Sequence, residues 1–526
     1  MSSLLLDKIA SVSGLTWNGA ISNSTTGFDK FGTCLDYWSK VGTHLARSQG
    51  DVSLDMGAIF GDDAEAALRI VFGLRLISRK PKNGDEVLID DTQTGFGLRN
   101  EFYKAIVWLH HNKPELLYKN LHLIPIFGSW KDFLNEPLID VLDREKVYRV
   151  FLANVSNDLL RKYLPQIRSK GNQRTERDKK RVAWARGLAR LLEISEKEYR
   201  EWKSTGAAHV WQRQMSKGEW DSINFNGIPG KAMFLHTTQK GKDKKTVFER
   251  RGQVDRLMEW VKSQKTVKFT GFPYELTKAA AKSPSIMQKF ILDRQFETVL
   301  EPMRNHKLGN VLSCLDTSGS MTWCEVAPGV QPYDVCLSMG MVFSALNVGY
   351  FKDAVCSFSN YSEIVKLTGE TFTEKFDCLR NKCSGGGSTN FQSVIDLLVR
   401  MRREFPEIPV SEYPETLLVI SDMQFNPVGG NTETNYKAAM KKLSEVGLSE
   451  VRLIWWFVNG AGTDFPVQMN DKGTYLIGGF DPVNLKALMG LTPEVKNFVA
   501  SEKVKETPLD GMMNWLRQPI FDLISY

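Results

Sequence analysis

Two rhythms of apolar and polar positions divide the chain. Up to about residue 300, apolar residues recur three and four positions apart, the spacing of one helix face. In 63–78 (DAEAALRIVFGLRLIS) acids come early and arginines late, the order that suits a helix dipole. The stretch 100–111 (NEFYKAIVWLHH) repeats the pattern, with Asn100 placed as an N-cap. Further helices are expected over 114–121, 139–163, 175–193, 195–204 and 250–263. The polar, basic stretch 236–247 (HTTQKGKDKKTV) reads as a loop. No exact repeat is present. Successive helix pairs with short connections predict an all-α, HEAT-like helical-repeat domain over residues 1–300.

After Gly309 the rhythm changes. Short β-rich runs, VLSCLD (311–316), AVCSF (354–358), TLLVISD (416–422), VRLIWWFV (451–458) and TYLIGG (474–479), alternate with helical patterns at 333–347, 391–404, 435–446 and 483–489. Strands alternating with helices predict a parallel sheet covered on both faces, a Rossmann-like α/β domain over 309–526. Sites in such sheets form at the carboxyl ends of strands. The chain as a whole is read as multidomain.

Composition adds bounds. With 526 residues, 42% hydrophobic and 25% charged, the chain is of globular type and exceeds a single core. No apolar run reaches the roughly 18–20 residues that span a bilayer. The opening MSSLLLDKIASVSG lacks the basic-then-apolar pattern of a signal peptide. Six of the seven cysteines follow residue 310, several within apolar runs where a thiol acts as a small hydrophobe. A reducing, cytoplasmic location is therefore expected. Cys378 and Cys383 are spaced like half a zinc site, but all seven histidines lie at or before His306, and zinc is not expected.

Charge is uneven. Residues 301–526 carry 20 Lys and Arg against 26 Asp and Glu, and residues 1–300 carry 48 against 35. Eleven basic residues fall in 161–190, opposed only by Glu176 and Asp178. Phosphate binding needs such clustering. Arg168, Lys170, Arg174, Arg177, Lys179, Lys180 and Arg181 are candidate nucleic-acid contacts, with Tyr163 and Trp184 as rings on which bases could stack. A solvated basic face, or docking against the acidic half, explains the same pattern.

The sharpest chemistry lies where the first strand ends, in Asp316-Thr317-Ser318-Gly319-Ser320. Alternate spacing aims one carboxylate and two hydroxyls at a common point, and Gly319 permits a tight bend. Such donors suit a hard cation that keeps some water. The loop Gly385-Gly386-Gly387-Ser388-Thr389-Asn390 adds a hydroxyl, and Asp422 ends the most apolar strand. No histidine is available for a serine hydrolase, and the glycine loop lacks a P-loop lysine, so no catalytic residue is expected.

These three segments, in this order, resemble the metal-ion-dependent adhesion site of von Willebrand factor A domains. The resemblance covers roughly the last 215 residues. It implies that Ser318, Ser320 and Thr389 ligate Mg²⁺ (or another divalent cation) directly, that Asp316 and Asp422 act through water, and that an open position takes a partner's carboxylate. Thr389 rather than Ser388 is chosen for its place beside Asn390.

Motifs in the first half, Leu15-Thr16-Trp17-Asn18-Gly19-Ala20, Gly95-Phe96-Gly97-Leu98-Arg99, Ile124 to Asp132, Glu196 to Arg200, Trp220 to Ile223 and Ile228 to Met233, are similar to an uncharacterised domain-of-unknown-function family of eukaryotes and large viruses. That family tends to show Gly-x-Gly-Glu-Arg where this chain has Gly-Phe-Gly-Leu-Arg. As packing and turn chemistry, the same motifs make Trp130 and Trp220 core aromatics and Gly128 and Pro229 breakers. The two-part plan is also similar to Ro autoantigen (TROVE) proteins, which implies RNA binding through a basic helical ring. The first expectation is thus a non-enzymatic, Ro-like RNA-binding protein with a Mg²⁺-dependent von Willebrand A domain. The second is a protein-interaction scaffold whose cation captures an acidic residue of a partner. No membrane partner is expected.

Overall fold

A computed structural model describes residues 13–43, 53–78, 82–83, 86–87, 92–168, 175–204, 210–306, 309–430, 432–460, 464–490 and 506–526. It begins with a hairpin in which β1 (Ser13–Leu15) pairs antiparallel with β2 (Ile21–Asn23). A two-stranded ribbon follows, β3 (Lys82–Asn83) against β4 (Glu86–Val87). The remaining strands form one sheet: β5 (Val311–Asp316), β6 (Ala354–Phe358), β7 (Ser362–Lys366), β8 (Thr416–Ser421), β9 (Arg452–Phe457) and β10 (Thr474–Gly478). Their order is β10-β9-β8-β5-β6-β7.

Every residue of β5, β8 and β10 is buried, as expected of strands covered on both faces. Five strands run parallel, and β7 pairs antiparallel with β6. The sheet is therefore mixed, where the sequence rhythm predicted a parallel one. SEIVK of β7 was not expected as a strand, because its face is only partly buried and it lies at the edge. The predicted helices appear as Pro332–Leu346, Gln392–Glu404, Asn435–Glu445 and Asn484–Leu488. Phe372–Lys382 and Pro508–Leu516 are additional. Helices Gln392–Glu404 and Asn435–Glu445 cover one face, where Phe391, Leu398, Leu417, Leu443 and Trp455 share a core. On Pro332–Leu346, Gly340 lies against Leu315 so closely that a Cβ would stand 2.6 Å from that side chain.

The compact units do not follow the expected boundary between 300 and 309. One takes its described residues from Met1–Gly50, Ala58–Ala66 and Pro229–Arg517. It includes the hairpin, the helix Gly32–Val41 and the long helix Ile286–Arg304 beside the sheet. Trp38 meets Trp515 edge-on at 5.7 Å, and Asp293 accepts the Thr373 backbone N–H at 2.9 Å. Apolar faces of these N-terminal elements thus complete the α/β core.

The other unit draws on Asp51–Gly57, Ala67–Ile228 and Gln518–Tyr526 and is mainly helical. Its helices include Arg99–Asn112, Pro114–Lys119, Glu176–Leu191 and Glu196–Ser204. The single helix expected over 139–163 is broken into Leu138–Val141, Arg144–Leu152 and Asp158–Tyr163, with Asp143 and Asn157 side chains capping the last two. Leu98, not Asn100, stands at the N-cap of Arg99–Asn112, without a side-chain cap. Arg75 forms a buried ion pair with Asp132 at 2.8 Å, and Tyr103 donates to the same carboxylate at 2.7 Å. Trp130 and Trp220 are half-buried, not core. Among the described residues, no helix is long and apolar enough to cross a membrane.

Candidate metal centre

β5 delivers Asp316 to the carboxyl end of the sheet, fully buried. One carboxylate oxygen accepts the Ser318 backbone N–H at 2.9 Å, and the other accepts the Ser421 hydroxyl at 2.5 Å. The turn that follows aims the Ser318 and Ser320 hydroxyls at each other, 3.1 Å apart. Asp422, one residue beyond β8, is also buried; its Oδ1 accepts the Gln424 N–H at 3.3 Å, and the nearby Ser320 hydroxyl favours its charged form. Burial raises the Asp316 carboxyl well above the usual range, and the nearby Asp422 raises it further. Burial raises Asp422 as well. Among the described residues, neither carboxylate forms an ion pair.

The glycine loop is stitched to this turn by the backbone. Gly319 N–H donates to the Gly387 carbonyl at 3.1 Å, and Gly386 N–H donates to the Thr317 carbonyl at 2.7 Å. Gly387 adopts φ +86°, which favours glycine, and a Cβ there would press on Asn360 at 3.0 Å. The two hydroxyls of this loop then differ. Ser388 donates to Asn360 Oδ1 at 2.9 Å and accepts from Asn426 Nδ2 at 2.9 Å. Thr389 is buried, and its hydroxyl is met by Asn18 Nδ2 at 3.4 Å, longer than a strong hydrogen bond. Thr389 therefore has the less committed oxygen.

Asn18 is a residue that sequence reasoning did not place at the site. It sits at the tip of the β1–β2 hairpin, and its side chain also donates to the Gln424 carbonyl at 2.5 Å. Trp17 N–H donates to Gln424 Oε1 at 2.5 Å, and the Thr16 hydroxyl to the Phe425 carbonyl at 2.7 Å. The LTWNGA motif is thus a clamp on the segment after Asp422. Its signal was the Asn-Gly turn between two short runs; nothing local says what the turn touches. Ser421 was likewise unassigned, although it stands beside Asp422 in TLLVISD.

Two buried carboxylates and the Ser318 and Ser320 hydroxyls meet at this end of the sheet, with Thr389 on the glycine loop bonded to the same turn, and all of these donors are oxygen. They fit a hard divalent cation, which would compensate the buried negative charge, and do not fit zinc. Among the described residues, no group of three or more His, Cys, Asp or Glu could hold a metal. Cys378 and Cys383 are free thiols.

The basic cluster takes a different form. Lys170 and Arg174 lie outside the described residues. Lys179 pairs with Glu176 at 2.5 Å, Lys180 with Asp140 at 2.6 Å and Arg168 with Asp178 at 3.4 Å. Arg177 donates to Asn135 Oδ1 at 3.0 Å, and Arg181 to the Leu134 carbonyl at 2.9 Å. Trp184 is buried against Tyr148, whose hydroxyl donates to the Trp184 carbonyl, so its ring cannot stack on a base. Tyr163 is half-buried, with Lys131 over its ring at 4.5 Å.

Residues 310–514 match the family model DUF7788, a domain of unknown function. No curated protein matches the chain. Among solved structures, the chain is similar to the crystal structure of Deinococcus radiodurans Ro (RSR) protein, at 11% identity over 89% of this chain and 90% of that one, with a TM-score of 0.32. At that score no residue or activity is carried across, and the site rests on its own geometry.

Proposed function

We propose that this protein is a non-enzymatic binding protein whose α/β unit is a von Willebrand factor A-type domain holding Mg²⁺. Ser318, Ser320 and Thr389 would hold the ion directly, and Asp316 and Asp422 through water. The bound ion would supply a positive centre for an acidic side chain of a partner protein. The supporting observation is the pair of hydroxyls 3.1 Å apart beside two buried carboxylates that lack an ion pair among the described residues. Asp316 and Ser421 fix the turn, Asp422 lies near the Ser320 hydroxyl, and Asn18 orients Thr389.

Calorimetric titration of the full chain with MgCl₂ or MnCl₂ tests this reading. One binding event is expected for the wild type and none for Asp316→Ala with an unchanged far-ultraviolet spectrum. Equal heats from both proteins would reject it.

A second reading, RNA binding by the helical unit acting as a HEAT-like array, is favoured by the eleven basic residues of 161–190, which lie in that unit and are opposed only by Glu176 and Asp178. Exposed ion pairs hold their charges weakly, so Lys179 and Lys180 could exchange partners for phosphates, while Arg181, half-buried, would have to give up its bonds to Leu134 and Asn135. Charge reversal at these three would then abolish low-salt retention of labelled RNA, and unchanged retention would dismiss the basic helix as its site.

A further inference from the structure

Three large aromatic rings stand in water around the candidate metal centre. Trp17 is 87% exposed, Trp323 80% and Tyr361 78%. Each belongs to a segment tied to the site. Trp17 precedes Asn18, which contacts Thr389, and its own N–H is bonded to Gln424. Trp323 N–H donates to the Ser320 carbonyl at 3.3 Å, and its ring lies 3.5 Å from where a Gly319 Cβ would stand. Tyr361 follows Asn360, whose carboxamide oxygen accepts the Ser388 N–H at 2.9 Å. Among the described residues, these three rings have no aromatic or cationic partner. Exposing an indole to water forgoes a large favourable burial, and tryptophan and tyrosine are over-represented among the residues that dominate protein interfaces.

Building on the cation-dependent reading, we propose that Trp17, Trp323 and Tyr361 form an aromatic collar that recognises bulky apolar side chains flanking the acidic residue of a protein partner. The cation takes one carboxylate, and the collar reads its neighbours. A nucleic acid could also stack on such rings, but a polyanion meets an unfavourable field here. Asp464 and Glu325 lie on segments bonded to the site or adjoining it, beside the buried carboxylates of Asp316 and Asp422. A single carboxylate neutralised by the cation escapes that penalty.

Two of the rings come from segments far apart in sequence, the N-terminal hairpin and the turn after β5. The collar exists only because the hairpin is clamped on 424–425. Because both indoles are exposed, replacing them leaves the core intact.

The test is a random peptide library panned on the full-length protein in Mg²⁺ and eluted with EDTA. The wild type is expected to enrich peptides with an acidic residue flanked by aromatic or large aliphatic residues. The variant Trp17→Ser/Trp323→Ser should still enrich the acid but lose the apolar flanks, and the best wild-type peptide should bind it about tenfold or more weakly. Enrichment of acidic peptides without apolar flanks by the wild type would overturn the collar and leave the cation reading standing. The absence of any EDTA-eluted enrichment would overturn both. A labelled oligouridine that binds the wild type and is lost in the double variant would replace the peptide partner with RNA.

Discussion

At the scale of single residues, burial decides which charges matter. Lys40 is almost fully buried, with its ammonium 3.7 Å from the Phe465 ring centre and 5.4 Å from that of Phe457. Desolvation lowers its pKa to about 7, against the opposing pull of Asp464 and Asp36. The unfolded chain keeps the ordinary value near 10.4, so between these limits the folded state binds fewer protons than the unfolded one. Stability must then rise with pH across roughly 7 to 10 from this group. Lys40→Met removes the term. Thermal melts of both proteins across that window should show the wild type gaining on Lys40→Met as pH rises, and parallel curves would refute the buried-lysine account. Sequence alone showed Lys40 only as one of many lysines, because its burial is created by residues more than 400 positions away.

At the scale of elements, the five main strands and most helices of the second half were legible because their periodicity is strong and uninterrupted. The edge strand β7 and the hairpin β1–β2 were not, being short and half-exposed. The helix Gly32–Val41 was missed too, and it illustrates close packing that composition cannot reveal. It ends at Gly42, where a Cβ would stand 2.7 Å from the Gly478 carbonyl oxygen and 2.7 Å from Gly479 Cα. Both obstacles are backbone and cannot swing aside. Gly42→Ala should cost about 1–3 kcal/mol, the usual range for overpacking, read as a lower denaturant midpoint by tryptophan fluorescence. A midpoint equal to the wild type would show that the helix is free to shift.

At the scale of the whole molecule, sequence order and structural grouping diverge. The unit containing the sheet takes in the hairpin, Gly32–Val41 and Ile286–Arg304, and the helical unit takes in the last residues. A fragment of residues 309–526 would lose Trp38 from Trp515, Asp293 from Thr373, and Lys278 from Asp334, a pair at 2.8 Å. It is expected to bind a hydrophobic dye and to be digested faster than the same region of the intact chain. Deleting 518–526 would remove Phe521 from its stack on Phe127, 5.8 Å away, and the Gln518 bonds to Thr94. That truncation should selectively destabilise the helical unit, measured as faster amide exchange in 99–152. Uniform exchange across both units would argue against this division.

What the sequence by itself determined is whatever a short window encodes: the alternation of strands and helices after 309, the Asp-x-Ser-x-Ser turn, and the glycine loop. Periodicity and turn chemistry act over a few residues, so they survive without any knowledge of the fold. Only the tertiary structure decided that Ser421 holds Asp316, that Asn18 reaches Thr389, that Trp184 is buried while Trp17 and Trp323 are not, and that residues 13–43 complete the α/β core. Each of those outcomes depends on which distant surfaces exclude water together, and no local pattern specifies them.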